Sequence, residues 1–263
     1  MNTQQQTLLN VLLIGESCED VYHYGICDRI SPEAAVPVLK QTHESVKKGM
    51  SSNVKLNLKA FNIAVKHHTN HEKIQKHRFI DTRYNQHLFR WDAGEEKVLQ
   101  PFSAHEVKDP SLPVPDAVVF SDYDKGFLSC EVCEEIVEYY KQLDPNIPIF
   151  VDTKKKKLTC FDGCIIKIND KEFSNIEAFP ANAELIVTIG ENGARYKGRV
   201  FPTEPVEVFD VCGAGDVFIA SLVYGFLKDG NIPNSIALAN KMAARSVTHM
   251  GTYVLTKEDI LNI

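Results

Sequence analysis

The residues best placed to do chemistry are Gly213-Ala214-Gly215-Asp216, in the run that begins at Asp210-Val211-Cys212. Val206-Glu207-Val208 alternates ahead of them as a strand does, and residues 217–228 follow as an almost unbroken apolar helix. The glycines therefore fall at a strand-to-helix turn. The N–H groups of Gly213, Ala214 and Gly215 open that helix without partners inside it. With the positive end of the helix dipole behind them, they suit an anion, phosphate above all. Asp216 sets a carboxylate beside that seat. In phosphoryl transfer such a carboxylate takes the proton of the attacking hydroxyl while the N–H groups hold the transferring group. A glycine-rich turn with Asp216 as a capping acid accounts for the same letters, and so short a motif does not decide between the two.

Two upstream patterns add to it. Asn169-Asp170-Lys171-Glu172 is an Asn-x-x-Glu element, and residues 188–193 read Thr-Ile-Gly-Glu-Asn-Gly. In this order on an α/β pattern, the three runs resemble the signatures of the ribokinase/PfkB family of sugar kinases. Longer stretches resemble one subgroup, the heptose 7-phosphate kinases, which occur alone or as the kinase half of a bifunctional ADP-heptose synthesis enzyme. Residues 29–38 (RISPEAAVPV) resemble its Arg-Ile-Ser-Pro-Glu-Ala-Pro-Val-Pro-Val, and residues 121–126 (SDYDKG) its Ser-Asp-Tyr-x-Lys-Gly. Gln86, Arg90 and Asp92 lie in a stretch like its Gln-Gln-x-x-Arg-x-Asp. On this reading no adenylyltransferase half is expected.

The resemblance implies an α/β fold: a ribokinase-like, doubly wound, mostly parallel sheet flanked by helices. It implies one domain over residues 1–263, with a small β-lid from about residues 18–45 and 78–100. Asp216 is then the catalytic base, and Gly213, Ala214 and Gly215 the anion hole. Asn169 and Glu172 help to place Mg2+ through water and to place the phosphates of ATP. Thr188, Gly190 and Gly193 line the nucleotide, and Asn240 lies on the helix beside the adenine. The family also admits a monovalent cation. Asp20 and Asn53 hold sugar hydroxyls. Arg29, Arg90 and Lys125, with Arg78, are the cations that could meet a sugar's phosphate. The implied reaction is phosphorylation of D-glycero-D-manno-heptose 7-phosphate at its anomeric hydroxyl, by a cytoplasmic homodimer joined through the lid. Simpler roles stay open: Asn169 with Glu172 as a capping box, residues 188–193 as a hairpin turn, Asp20 as a turn residue, and Asn240 as an ordinary helix polar group.

The sequence departs from the family pattern in four places. Cys212 stands where Thr is usual. Gly49-Met50 replaces a glycine pair, which puts a methionine where it could crowd the sugar. Gly15-Glu16 replaces Gly-Asp. Residues 62–81 are too few for the strand, helix and strand expected there, so one βαβ unit is missing or vestigial. These departures admit a second class, a catalytically inert homologue that binds a sugar or nucleotide as a regulator.

The elements that must position these residues read as alternating strands and helices, the pattern of a parallel sheet. Strands are expected at residues 10–15, 117–120, 147–151, 165–168 and 185–189. Helices are expected at 51–61, 130–143, 217–228 and 236–249, with a hairpin over 78–91. Residues 64–76, rich in histidine, read as a solvated connection, and the four lysines at 154–157 as a solvated face able to attract phosphates. The bulk properties fit a soluble globular protein: 263 residues, 44% hydrophobic and 24% charged. A net charge of −6 argues against nucleic acid as the main partner. The apolar runs are too short for a membrane span, and residues 1–7 lack a leader pattern. Seven scattered cysteines suit a reducing compartment. Cys130-x-x-Cys133 with Cys160-x-x-x-Cys164 has loose spacing for zinc, so small buried residues are the expectation.

Overall fold

The computed structural model describes residues 8–261, so the expectation for residues 1–7 lies outside the described residues. The main sheet has eight strands in the order β12-β11-β10-β9-β8-β7-β1-β4. Its parallel members are β1 (Asn10–Gly15), β4 (Ala64–His68), β7 (Ala117–Asp122), β8 (Ile149–Thr153), β9 (Ile165–Asn169) and β10 (Glu184–Thr188). Antiparallel β11 (Ala194–Tyr196) and β12 (Arg199–Phe201) finish one edge. Central parallel strands are covered on both faces, which is why they read as continuous apolar runs; every residue of β7 is buried.

Helices α1 (Ser51–Ala60), α4 (Ala214–Asp229), α5 (Ile232–Val247) and α6 (Lys257–Leu261) cover one face, with Val54, Leu58, Leu222 and Ile236 in its core. Helix α2 (Cys130–Leu143) covers the other with Cys133, Ile136 and Tyr140. A short α3 (Asp170–Phe173) follows β9. No helix among the described residues is long and apolar enough to cross a membrane.

The lid is a separate four-stranded sheet in the order β3-β2-β5-β6. It is built from β2 (Ser17–Ile30), β3 (Pro37–Met50), β5 (Gln75–Asp81) and β6 (Gln86–Ala93). Its segments are therefore 17–50 and 75–93, where 18–45 and 78–100 were the expectation. Only Glu16 separates β1 from β2, and β3 runs directly into α1, so the lid grows from the carboxyl end of the main sheet.

Residues 64–76 are not merely a connection. Ala64–His68 pair with β1 as strand β4, and the chain then passes straight into the lid. The strand is at the sheet's edge, so its side chains are only partly covered and its Lys66-His67-His68 reads as polar. The lysine run divides too: Lys154 is exposed, whereas Lys155 is 7% exposed and bonds Asp124 Oδ1 at 3.0 Å and the Leu128 carbonyl at 2.7 Å.

Met50 does not crowd a sugar. Its side chain is buried in the core cluster with Ile14, Cys18 and Ile74, while its backbone holds φ at 57°. Positive φ costs a side-chain-bearing residue about 1–2 kcal/mol, but loss of a buried methionine costs about 2–5 kcal/mol. Met50→Gly should therefore destabilise the fold by about 1–3 kcal/mol in chemical denaturation, despite the relief of strain.

Candidate active site

Polar residues gather where the parallel strands end. Register places Gly15 beside Ser121, Ser121 beside Asp152, Asp152 beside Lys167, and Asn169 beside Thr188. Ligands of open α/β sheets collect at this edge. Here the amino end of α4 meets it, and a cavity of about 190 Å3 opens between them. Asp216, Gly213, Gly215, Asp152, Lys167 and Glu172 are among its lining residues, with Asn169, Lys154, Asp122 and Tyr123.

Asp216 is 3% exposed. Asn53 Nδ2 donates to its Oδ2 at 3.0 Å, and the Tyr123 hydroxyl donates to its Oδ1 at 2.9 Å. Burial pushes its pKa up to about 7, against the pull of the Asn53 and Tyr123 hydrogen bonds. A carboxylate so placed is a proton acceptor poised for neutral pH. Gly213 supplies the left-handed turn (φ 77°) that starts α4, and a Cβ there would fall 2.7 Å from Asn53 Nδ2. Of the three N–H groups expected to form an anion hole, that of Ala214 turns back to the Val211 carbonyl at 3.3 Å. Gly213 and Gly215 face the cavity.

Asn169 and Glu172 form a capping box: Asn169 Oδ1 accepts from Glu172 N, and Glu172 Oε2 accepts from Asn169 N, both at 2.8 Å. Both residues also line the cavity, so capping does not take them out of it. Glu172 Oε1 pairs with Lys154 Nζ at 3.0 Å, and Lys167 Nζ with Asp152 at 2.9 Å. Burial raises the Asp152 pKa and Lys167 opposes it. Among the described residues no set of three side chains forms a ready metal cage. Two carboxylates, Asp152 and Glu172, suit an ion that keeps most of its waters, as Mg2+ does.

Thr188 ends β10, and residues 190–193 turn the chain into β11, with Gly190 and Gly193 at positive φ. The hairpin expectation thus holds for their backbone. A Cβ on Gly190 would meet no atom within 4 Å, whereas one on Gly193 would strike the Phe201 carbonyl. Asn240 is 4% exposed and spends its amide on the Phe201 carbonyl, at 2.7 Å. A buried amide needs such a partner, so Asn240 also holds the chain where β12 ends.

The lid sheet meets the glycine turn through Arg78 and Cys212. Asp20 is no surface turn residue: it is 3% exposed, accepts from Arg78 Nη1 at 2.5 Å, and rests against Gly49, where a Cβ would fall 2.3 Å from its Oδ2. Arg78 also donates to Cys212 Sγ at 2.9 Å. Cys212, in place of the usual threonine, is thus the acceptor that ties the lid to the glycine turn. Arg90 lies exposed and paired with Asp92 (2.6 Å), and Lys125 with Glu95 (2.9 Å). Arg29 is exposed near the far end of β2, so it is not brought to the cavity.

Sequence reasoning passed over Asp152 and Lys167 as site residues, and gave Tyr123 and Lys154 only as members of the 121–126 motif and of the lysine run. The signal was present: each lies in the last three residues of a parallel strand or just beyond it. Of the four cysteines weighed for zinc, Cys133, Cys160 and Cys164 are buried and Cys130 is half-buried. His67, His68 and His71 line a separate cavity of about 240 Å3 beside β4.

A doubly wound sheet with a buried carboxylate, two lysines and a helix start at its carboxyl edge defines a phosphotransferase that acts on an alcohol group. More particularly, the chain belongs to the pfkB family of carbohydrate kinases, whose model matches residues 51–259. It is 29% identical to the bifunctional protein HldE of a Nitratiruptor species over 95% of its length, and 30% identical to that of Campylobacter jejuni over 95%. The chain spans 64% and 63% of those proteins. Its fold is similar to the ribokinase of Thermotoga maritima (TM-score 0.69, 14% identity, 97% and 99% of the two chains). It is also similar to phosphofructokinase-2 of Escherichia coli in complex with potassium (TM-score 0.73, 13% identity, 97% and 98%).

Proposed function

We propose that this sugar kinase uses ATP with Mg2+ to phosphorylate the anomeric hydroxyl of D-glycero-D-manno-heptose 7-phosphate. The observation that carries the reading is the buried Asp216 carboxylate, held on both oxygens at the start of α4 and facing the cavity. It would take the hydroxyl proton as the hydroxyl oxygen bonds to the γ-phosphorus and the bond from that phosphorus to the bridging oxygen breaks, releasing ADP, while Gly213 and Gly215 meet the transferring group. Lys154 and Lys167 would hold phosphate oxygens, and Asp152 with Glu172 would hold the ion's waters. Mg2+, when bound, supplies charge neutralisation for the phosphates. A monovalent cation is in keeping with the potassium named for the E. coli neighbour. Asp20 and Asn53 would receive the sugar.

The likeness to HldE and the motifs at residues 29–38 and 121–126 support a phosphorylated heptose. The inner face of the lid supports it as well. Lys47, Lys76, Arg78 and Arg90 stand at registers that share Asp20's side of the sheet. Arg78 is committed to Asp20, so the exposed Arg90 is the better partner for a distal phosphate, in exchange for Asp92. Arg90→Ala should raise KM for heptose 7-phosphate about tenfold or more and leave KM for ATP unchanged. The substrate itself is tested by comparing sugars: heptose 7-phosphate should exceed ribose, fructose and adenosine by at least about tenfold in kcat/KM, the worth of one charged contact. A free sugar that is turned over best would remove the heptose reading and keep the kinase.

The outer face of the lid supports a homodimer. His77 stacks on Trp91 at 4.7 Å and Phe79 on Phe89 at 4.3 Å, yet Trp91, Phe89 and Val46 remain 54%, 55% and 52% exposed. So much apolar surface on one sheet marks an interaction site. Light scattering at micromolar concentration should give a dimer that Trp91→Glu dissociates; a monomeric wild type would count against it.

A further inference from the structure

Tyr123 touches the acid, the lid and the nucleotide side at once. Its hydroxyl donates to Asp216 Oδ1. Its ring lies under Lys76 of β5, with the ammonium 5.6 Å from the ring centre, and under Lys154, at 5.1 Å. Its backbone is held as firmly. The buried Glu16 carboxylate accepts from Tyr123 N at 2.8 Å and from Lys125 N at 3.1 Å. The longer glutamate at this position thus reaches the loop that carries the phenol.

A carboxylate oxygen has two lone-pair positions. Tyr123 takes one on Oδ1 and Asn53 one on Oδ2, which fixes the carboxylate plane and leaves a second position on each oxygen for a substrate hydroxyl. Resting on the kinase reading above, we propose that Tyr123 is a positioning residue for phosphoryl transfer. It holds Asp216 aligned and ionised, and Lys76 and Lys154 hold Tyr123 in place from the lid and from the Glu172 side.

The charge around Asp216 makes such a donor necessary. Asp152 from β8 opposes its ionisation, and Lys167 from β9 favours it. Cys18 from β2 and Cys212 from the glycine turn also face it, and burial raises the pKa of both thiols. Burial dominates the balance at Asp216, so each hydrogen bond to the ionised form counts.

Tyr123→Phe keeps the ring and its cation contacts and removes the donor. The acid limb of the pH profile of kcat should move up by about one to two pH units, the size of a lost hydrogen bond to a charged acceptor, and the alkaline plateau should fall as well, since Asn53 alone then holds the carboxylate. An unmoved limb, or an equal loss at every pH, would overturn the proposal. The same shift is readable without turnover, from the 13C carboxyl resonance of Asp216, assigned with Asp216→Asn and followed through pH in both proteins. If the wild type phosphorylates no sugar, the kinase reading fails alone; if the resonance titrates at the same pH with and without the Tyr123 hydroxyl, this proposal fails.

Discussion

Asp216→Asn should lower turnover by about 10²–10⁴ while ATP binding, measured by calorimetry, stays within a few-fold of wild type. The amide keeps the shape and cannot accept the hydroxyl proton. Its neighbours on the protein also tell against compensation: Tyr123 and Asn53 both donate to this residue, and neither is a base at neutral pH. The residual activity should also lose the wild type's dependence on pH near 7. A base whose pKa burial lifts to about 7 is protonated below that pH and ionised above it, so wild-type kcat should rise as pH climbs through 7. Near-full activity in the variant would mean that another group takes the proton.

Arg78→Met should cost about 3–5 kcal/mol of stability, read from denaturant unfolding, because it strands a buried charge. Arg78 is 5% exposed and Asp20 3%. The guanidinium bonds Asp20 at 2.5 Å and Cys212 at 2.9 Å, and lies 5.2 Å from the Tyr22 ring centre. Methionine fills the space and leaves Asp20 without its cation. Adding Asp20→Asn should recover part of the loss, since a neutral amide is cheaper to bury than an unpaired carboxylate. A single variant as stable as wild type would mean that Asp20 finds solvent, and that the lid is not fastened through this pair.

Much of this was legible in the sequence because it is local. The turn at residues 213–216 combines a positive φ at Gly213 with an acid in the first turn of an apolar helix, and both show in adjacent letters. Asn169 and Glu172 are likewise three residues apart. The long lid strands are readable from the prolines, alternation and aromatic residues of residues 27–41 and 78–91. What escaped is made by distant strands meeting. Asp152 and Lys167 pair only because β8 and β9 lie side by side, and Tyr123 reaches Asp216 across 93 residues of chain. Strand β4 escaped because an edge strand needs few apolar residues. Met50 misled because burial, which the sequence does not display, turned its side chain into the core.

The most direct test is phosphoryl transfer itself. The purified chain, with ATP, Mg2+ and D-glycero-D-manno-heptose 7-phosphate, is followed by 31P NMR. The expected result is loss of the ATP γ resonance with the appearance of a second sugar phosphate, at the anomeric position, and neither change in Asp216→Asn over the same time. ATP that binds but is never consumed, with this or any other sugar, would contradict a kinase and mark the chain as a binding homologue.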